Sequence, residues 1–435
     1  MIHLPKTTKQ LMPTNRRKFI TTGLLGGLAA TMPFKSYSSA NHSSAINEQH
    51  PDYARLDEMM NKPVLKRELF TTPVIIESLE LLRYKNNFLC RVRSKDGAEG
   101  ISVGNNNQLK SLYPIFVNRV QPFFIGKDAR DLESLLEEVC VFESNYKMQS
   151  LALWVPLATV EFAILDMLGH MSGRSIGRLI GEIHNPSISV YQANGERGIS
   201  PEETLEHLQK QLEESKAKAI KFKLGGRMSH PETPVGRSEK LIPLVRKTFG
   251  DKMVISADAN GSYTVEEAIR IGKIMQEYNY AFFEEPVPFD WYEETKQVAD
   301  ALSIPIAGGE QEASLHNFRW LIGNHALSIV QQDMFYFGGM VRSMKVARMA
   351  EAMGKQCIPH ISSTGLGYLY MMHFVSVIPN SGPYHEFKEF NHDMPFECKT
   401  STLLSTDGVI KVPTGPGLGI DIDPDYFKKH TVVTG

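Results

Sequence analysis

Seven ionisable residues recur along the chain at intervals that suit one shared site. They are Lys223, Asp258, Glu284, Glu310, Asp333, His360 and Glu386, separated by 35, 26, 26, 23, 27 and 26 residues. Each follows a short apolar run, where a strand would end. Three successive carboxylates, Asp258, Glu284 and Glu310, would repel one another if brought together unless a cation sat among them. Oxygen donors of this kind suit a hard divalent ion, with Mg²⁺ the natural occupant and water or substrate oxygens completing an octahedron. Taken singly, any of the three could instead cap a helix or pair with a lysine. Lys221 and Lys223 are two apart on an extended run and therefore share a face. Facing inward, each ammonium disfavours protonation of the other and leaves one poised as a base near neutral pH; facing outward, they are a solvated pair. The alternating Ile220, Phe222 and Leu224 favour the inward arrangement. Asp333 and His360 end adjacent runs, so the carboxylate can hold one imidazole nitrogen and leave the other free as acid or base. Only this phase singles out His360 from His316, His325, His373 and His392 among the 14 histidines.

The elements that must position these groups are eight apolar runs separated by helical stretches. The runs are Ile188-Ser189-Val190, Ala219 to Lys223, Met253 to Ala257, Ala281-Phe282-Phe283, Ile304 to Ala307, Leu327 to Val330, Gln356 to Pro359, and a poorly defined one near Tyr384. Unit lengths near 26 residues fit single strand–helix units, and the pattern predicts an α/β fold with a (β/α)7–8 TIM-like barrel over 186–389. A doubly wound open sheet is the competing topology. One intervening helix is legible in detail: Thr264 and Glu267 form a capping box, and Ala268, Ile271, Ile274, Met275 and Tyr278 trace its buried stripe. Upstream, residues 60–185 read as an α+β module. Runs at Val74-Ile75-Ile76, Leu79 to Leu82 and Phe88 to Val92, with turn signals at Asn86-Asn87 and Asp96-Gly97, predict an antiparallel meander. Leu132, Leu135, Leu136 and Val139 then mark one helical face, and Val160, Ile164, Leu165 and Leu168 another.

The chain has 435 residues, 42% hydrophobic and 22% charged, with a formal charge of -2; this excludes a peptide hormone and a broadly basic nucleic-acid surface. Cys90, Cys140, Cys357 and Cys398 form no C-x-x-C pair and read as free thiols. Residues 1–45 differ in kind, with Lys6, Lys9, Arg16, Arg17 and Lys18 followed by an apolar Gly/Ala/Leu run from Phe19 to Ala30. Thr14 to Ile20 resembles a twin-arginine export signal, with Ser38 and Ala40 offering a cleavage site. The leader predicts a periplasmic or secreted product that folds before the twin-arginine machinery moves it. No later stretch approaches 18 consecutive apolar residues, so no membrane is expected for the mature form.

The combined strings resemble the enolase superfamily, in its mandelate racemase-like branch. They are Lys221-Phe222-Lys223, Asp258-Ala259-Asn260, Glu284-Glu285-Pro286, Gly309-Glu310, Asp333 with Gly338-Gly339, Pro359-His360 and Glu386. Upstream, Glu161 to His170 with Gly173 and Leu179-Ile180-Gly181 match the helical segment that leads into the barrel. The resemblance covers residues 65 to 425. It implies an N-terminal α+β capping domain, 60–185 completed by 390–435, that closes over the barrel mouth. It further implies Mg²⁺ ligation by Asp258, Glu284 and Glu310, Lys223 as one base, and His360 with Asp333 as the opposite base or acid. Glu386 would hydrogen-bond the substrate carboxylate, and Lys221 and Asn260 would contact substrate or tune Lys223. A homo-oligomer is common in the family.

Such a site removes the proton α to a carboxylate, and the resulting enediolate dianion must be stabilised by cationic and hydrogen-bonding groups. Dehydration of a sugar acid to a 2-keto-3-deoxy acid is the first expectation, by family frequency. Racemisation, epimerisation or cycloisomerisation of a hydroxy or anhydro sugar acid is the alternative. A non-catalytic periplasmic acid-sugar binding protein is a further one. Dipeptide epimerisation would need a lysine where His360 stands. Selectivity is expected from Asn86 to Asn107 and from mouth groups such as Arg197, Gln311 or Tyr336. The export leader departs from a family whose acid-sugar catabolism is normally cytoplasmic.

Overall fold

Period-two alternation produces the first group of strands. The computed structural model of the chain describes residues 51–362, 365–387 and 394–434; the expected leader at 1–45 lies outside them. Strands β1 (Ile76–Tyr84), β2 (Asn87–Ser94) and β3 (Glu99–Val103) form the meander. The two runs expected at Val74 to Ile76 and Leu79 to Leu82 prove largely continuous in β1, because the chain carries on through Glu77 with an irregularity in register. A late segment, Thr431–Val432, adds a fourth strand beside β1.

Leu132, Leu135, Leu136 and Val139 are buried on one helix, Leu132–Val141, as the spacing predicts. The next long helix, Leu151–Ser172, corrects the two-faced expectation: every residue from Val155 to Gly169 is buried, so Val160, Ile164, Leu165 and Leu168 belong to no single stripe. By length and composition it could cross a membrane, yet here it is a core helix. Its two buried carboxylates explain how. Asp166 accepts from Ile101 N on β3 at 2.8 Å and from Leu418 N in the C-terminal segment at 2.6 Å. Glu161 accepts from Met340 N and Val341 N at 2.6 and 2.8 Å, capping the helix Met340–Ala352 from outside it. Burial pushes the Glu161 carboxyl up to about 8, opposed by those two amide bonds.

All eight apolar runs carry strands. They are β4 (Ser187–Ala193), β5 (Ala219–Lys223), β6 (Val254–Asp258), β7 (Phe283–Glu284), β8 (Ile306–Gly308), β9 (Ile329–Val330), β10 (Gln356–Cys357) and β11 (His385–Phe387). They pair in parallel in the order β10-β9-β8-β7-β6-β5-β4-β11, with a helix after each of β4 to β10. Because the last strand returns to pair with the first, and Ser381 just before it bridges Cys357 on β10, the sheet is curled. This overrides the open, doubly wound alternative. Tyr191 on β4 joins Ala219, Phe282, Ala307, Ile329 and Ile358, from five of the other runs, in a separate apolar cluster. The helix Val265–Glu277 has the predicted Thr264–Glu267 capping box, with Ala268, Ile271 and Met275 buried and Ile274 and Tyr278 partly so.

Gly339 fixes one junction. Its φ is +110°, and a Cβ placed there would lie 1.4 Å from Glu161 Oε2. Gly339→Ala is therefore expected to cost about 3 kcal/mol or more, through a left-handed backbone and a displaced buried carboxylate. A clear fall in the chemical-denaturation midpoint checks it; an unchanged midpoint would contradict the assigned contact.

Candidate functional site

Strand register brings the separated residues together. Lys223 pairs with Asp258, Asp258 with Glu284, and Asp333 bridges His360, each across neighbouring parallel segments. Glu386 on β11 is opposite Tyr191 on β4. The chain bends sharply beside the carboxylates: Asn260 and Glu285, just after Asp258 and Glu284, have φ of +43° and +42°, and Gly309, just before Glu310, has +109°. Non-glycine residues such as Asn260 and Glu285 rarely hold that conformation, which marks tight turns next to all three carboxylates.

Asp258, Glu284 and Glu310 are all buried, and one ligand atom from each lies within 4.8 Å of the others. Cations stand against both ends and one flank of this row. Lys223 Nζ makes a short contact with Asp258 Oδ2. Lys221 Nζ lies 2.7 and 3.0 Å from the Glu284 oxygens and 3.8 Å from Glu386 Oε2, over the Tyr191 ring. His360 Nδ1 is 2.7 Å from Asp333 Oδ2, which turns Nε2 toward Glu310 Oε2 at 3.5 Å and Glu386 Oε2 at 3.8 Å. Thus Lys223 is at one end of the carboxylate row and the His360–Asp333 pair at the other.

Charge governs the protonation states. Burial, joined by repulsion from Asp258 and Glu310, pushes the Glu284 carboxyl up to about 7 against the pull of Lys221. Burial would likewise raise Asp258, but Lys223 and Lys221 hold it below the ordinary range. For the two lysines the expected lowering is not what dominates. Burial and mutual repulsion do disfavour the Lys223 ammonium, yet Asp258, Glu310 and Glu284 together outweigh them and its pKa rises. Lys221 also rises well above its usual value, because Glu284, Glu386 and Asp258 overcome its burial. The facing carboxylates, invisible to a reading of the lysine pair alone, reverse the sign. Burial also disfavours the His360 imidazolium, but Glu310, Asp333 and Glu386 push it up to about 10.

The remaining expected residues divide. Asn260 joins the site: its N donates to Asp258 Oδ1 at 2.7 Å, and Nδ2 reaches Glu285 Oε2 at 3.2 Å and Glu310 Oε1 at 3.4 Å. Arg197 is placed behind it, with Nη2 donating to Asn260 Oδ1 at 2.8 Å. Gln311 donates to Glu310 Oε1 at 3.2 Å, and Tyr336 accepts from Gln108 at 3.4 Å. Several contributors were missed. Gln331 donates to Glu284 Oε2 at 3.0 Å; it is two residues before Asp333, the same spacing that marked Lys221 and Lys223. Glu285, next to Glu284, is a further buried carboxylate beside the row. Ser362, two residues past His360, reaches Asp333, and Asn105 reaches Ser362 from a distant part of the chain with no local pattern to announce it.

The donor set fits a hard divalent cation. It consists of acceptor-only carboxylates in a buried cluster, with Glu285 Oε1 and Gln331 Oε1 nearby as buried oxygens that have no hydrogen-bond partner among the described residues.

Similarity to known proteins agrees with this arrangement. The family model described as Enolase C-terminal domain-like matches residues 203–426. The chain is 26% identical over 314 residues to the arabinonate dehydratase of Saccharolobus solfataricus, covering 72% of this chain and 81% of that protein. Its fold is similar to a mandelate racemase/muconate lactonizing protein from Paracoccus denitrificans, with a TM-score of 0.74, 24% identity, and coverage of 83% and 99% of the two chains. It is also similar to the 3,6-anhydro-D-galactonate cycloisomerase from Zobellia galactanivorans, with a TM-score of 0.68, 25% identity, and coverage of 83% and 100%. With more than half its length matched by the family model and three acidic residues gathered at the ends of β6, β7 and β8, the chain belongs to the enolase superfamily, in the Enolase C-terminal domain-like family.

Proposed function

We propose that this protein abstracts the proton α to the carboxylate of a sugar acid and, with loss of the β-hydroxyl, yields a 2-keto-3-deoxy acid. In this reading the curled sheet over 186–389 is a TIM-like barrel, and 60–185 with 390–435 forms the domain over its mouth. One observation carries the reading: a row of three buried carboxylates with a lysine at one end and a histidine–aspartate pair at the other.

Asp258, Glu284 and Glu310 would hold Mg²⁺, which when bound would supply positive charge to a substrate carboxylate. Lys223, at one end of the carboxylate row and on the same strand face as Lys221, would accept the α-proton on Nζ. His360, oriented by Asp333, delivers the proton on Nε2 to the departing β-hydroxyl, which leaves as water. The C2–H and C3–O bonds break, a C2=C3 enol forms, and protonation at C3 gives the ketone. Lys221 and Glu386 flank the site as a charge pair that can orient the substrate carboxylate. The likeness to the Zobellia cycloisomerase supports a second reading, in which the same histidine protonates a ring ether oxygen.

Three outcomes check this. Mg²⁺ at a hundredfold excess over its Kd should add about 2.7 kcal/mol of unfolding stability, and Asp258→Asn should abolish that increment; equal stabilisation of both proteins would remove the metal site. Purified protein with Mg²⁺, screened against mono- and diacid sugars, should release a 2-keto-3-deoxy product, with Lys223→Ala and His360→Asn each lowering turnover by about 10²-fold or more. Full activity in both variants would show the bases to be misassigned, and ring-opened isomers without dehydration would favour the second reading. We also propose that residues 1–45 direct export. Cell fractionation should find the Arg16→Lys/Arg17→Lys double variant retained in the cytoplasm, and unimpaired export of it would refute a twin-arginine role.

A further inference from the structure

The segment from the end of β3 into the helix Asn106–Ile115 is tied to the chain around the parallel sheet by three hydrogen bonds. Val103 N donates to Tyr370 Oη at 2.9 Å, Gln108 Nε2 to Tyr336 Oη at 3.4 Å, and Asn105 Nδ2 to Ser362 Oγ at 2.8 Å. Ser362 Oγ in turn donates to Asp333 Oδ1 at 3.2 Å, and Asp333 Oδ2 holds His360 Nδ1. A continuous chain therefore runs from Asn105, among the first residues after the meander, to the imidazole at the end of the carboxylate row.

The chemistry of each link gives this chain a direction. Asn105 is 1% exposed, and its amide is used at both ends: Oδ1 accepts from Gln108 N at 3.2 Å, capping the helix Asn106–Ile115, which leaves Nδ2 to face Ser362. Ser362 has a single hydroxyl proton. With Asn105 donating to its oxygen and the Tyr336 hydroxyl beside it, Ser362 places that proton on Asp333. Asp333 Oδ1 also accepts from Phe335 N and Tyr336 N, both at 2.8 Å, so Ser362 completes a set of three donors on one oxygen. Oδ2 is then kept for the histidine.

We propose that Asn105 and Ser362 are positioning residues that orient the His360–Asp333 pair, so that docking of the β3 turn sets the aim of His360 Nε2. The proposal rests on the catalytic reading of His360 given above. It makes the segment expected to select substrate, Asn86 to Asn107, a support of the acid as well.

The test uses the full-length protein with Mg²⁺, labelled with ¹⁵N-histidine, as wild type, Asn105→Ser and Ser362→Ala. Serine keeps the helix cap but is too short to reach Ser362, and Ser362→Ala deletes the link should the first variant fail to fold. The low-field Nδ1 proton of His360, identified by its loss in His360→Asn, should shift or exchange faster with water in both variants. On the sugar acid that wild type turns over best, kcat should fall about 10- to 100-fold with KM within about twofold, while Lys223-dependent deuterium incorporation at the α-carbon persists. A His360 resonance unchanged in both variants overturns the proposal whatever the turnover. A shifted resonance in a protein that turns over no sugar acid upholds the positioning role and overturns the catalytic reading instead.

Discussion

Three carboxylates held within 4.8 Å inside a protein are a debt of repulsion that every neighbouring group must answer. At an effective dielectric near 20, each pair of full charges at that separation costs about 3 kcal/mol. The surroundings meet this with cations rather than with protons alone. Lys223 is set against Asp258, Lys221 against Glu284, and His360 beside Glu310, so each carboxylate has a positive partner on the next strand or across the curl of the sheet. The same arrangement leaves Glu284 close to protonation near neutral pH, a sign that the compensation is incomplete. A site in this balance has a standing preference for added positive charge among its oxygens, which is what metal-assisted removal of an α-proton would use.

The core helix Leu151–Ser172 shows a second use of buried charge. Asp166 Oδ1 has His170 Nε2 at 3.5 Å, yet both Glu161 and Asp166 are satisfied chiefly by backbone amides, from segments far away in sequence. Such bonds are directional and leave a costly orphan if the register slips. Asp166 thereby joins β3 to the C-terminal segment, and Glu161 fixes the start of the helix that follows Asp333. Gly339 is glycine because the Glu161 oxygen occupies the space a side chain would need. The helix's apolar surface supplies bulk stability, while its two carboxylates specify which segments meet.

What was legible in the chain was whatever local periodicity controls. All eight apolar runs became strands, even where only two residues are formally paired, as in β7, β9 and β10, because a buried parallel strand must be apolar on both faces and must end where polarity begins. Thr264 and Glu267 were readable as a cap for the same local reason. Charge state was not readable. The lysine pair was correctly placed together, but the sign of its pKa change depended on Asp258 and Glu284, two neighbours on other strands. Nor was the link from Asn105 to Ser362, which spans 257 residues and uses ordinary polar side chains with no spacing rule. The return of Thr431–Val432 to β1 was equally silent, since two exposed residues carry no pattern.

These two levels, local and long-range, meet at Asp333. Its position follows from a strand end that periodicity predicts, but its function as an orienting group depends on which donors saturate Oδ1. Two are backbone amides of its own turn and would be present in any chain that folded this way. The third comes from Ser362, which is itself held by a residue outside the parallel sheet. A carboxylate with one oxygen fully occupied can present the other in only one direction, so the imidazole inherits its aim from this accounting of donors. The turn that follows the meander is thus more than a neighbour of the curled sheet: part of the geometry at the far end of the carboxylate row is decided there.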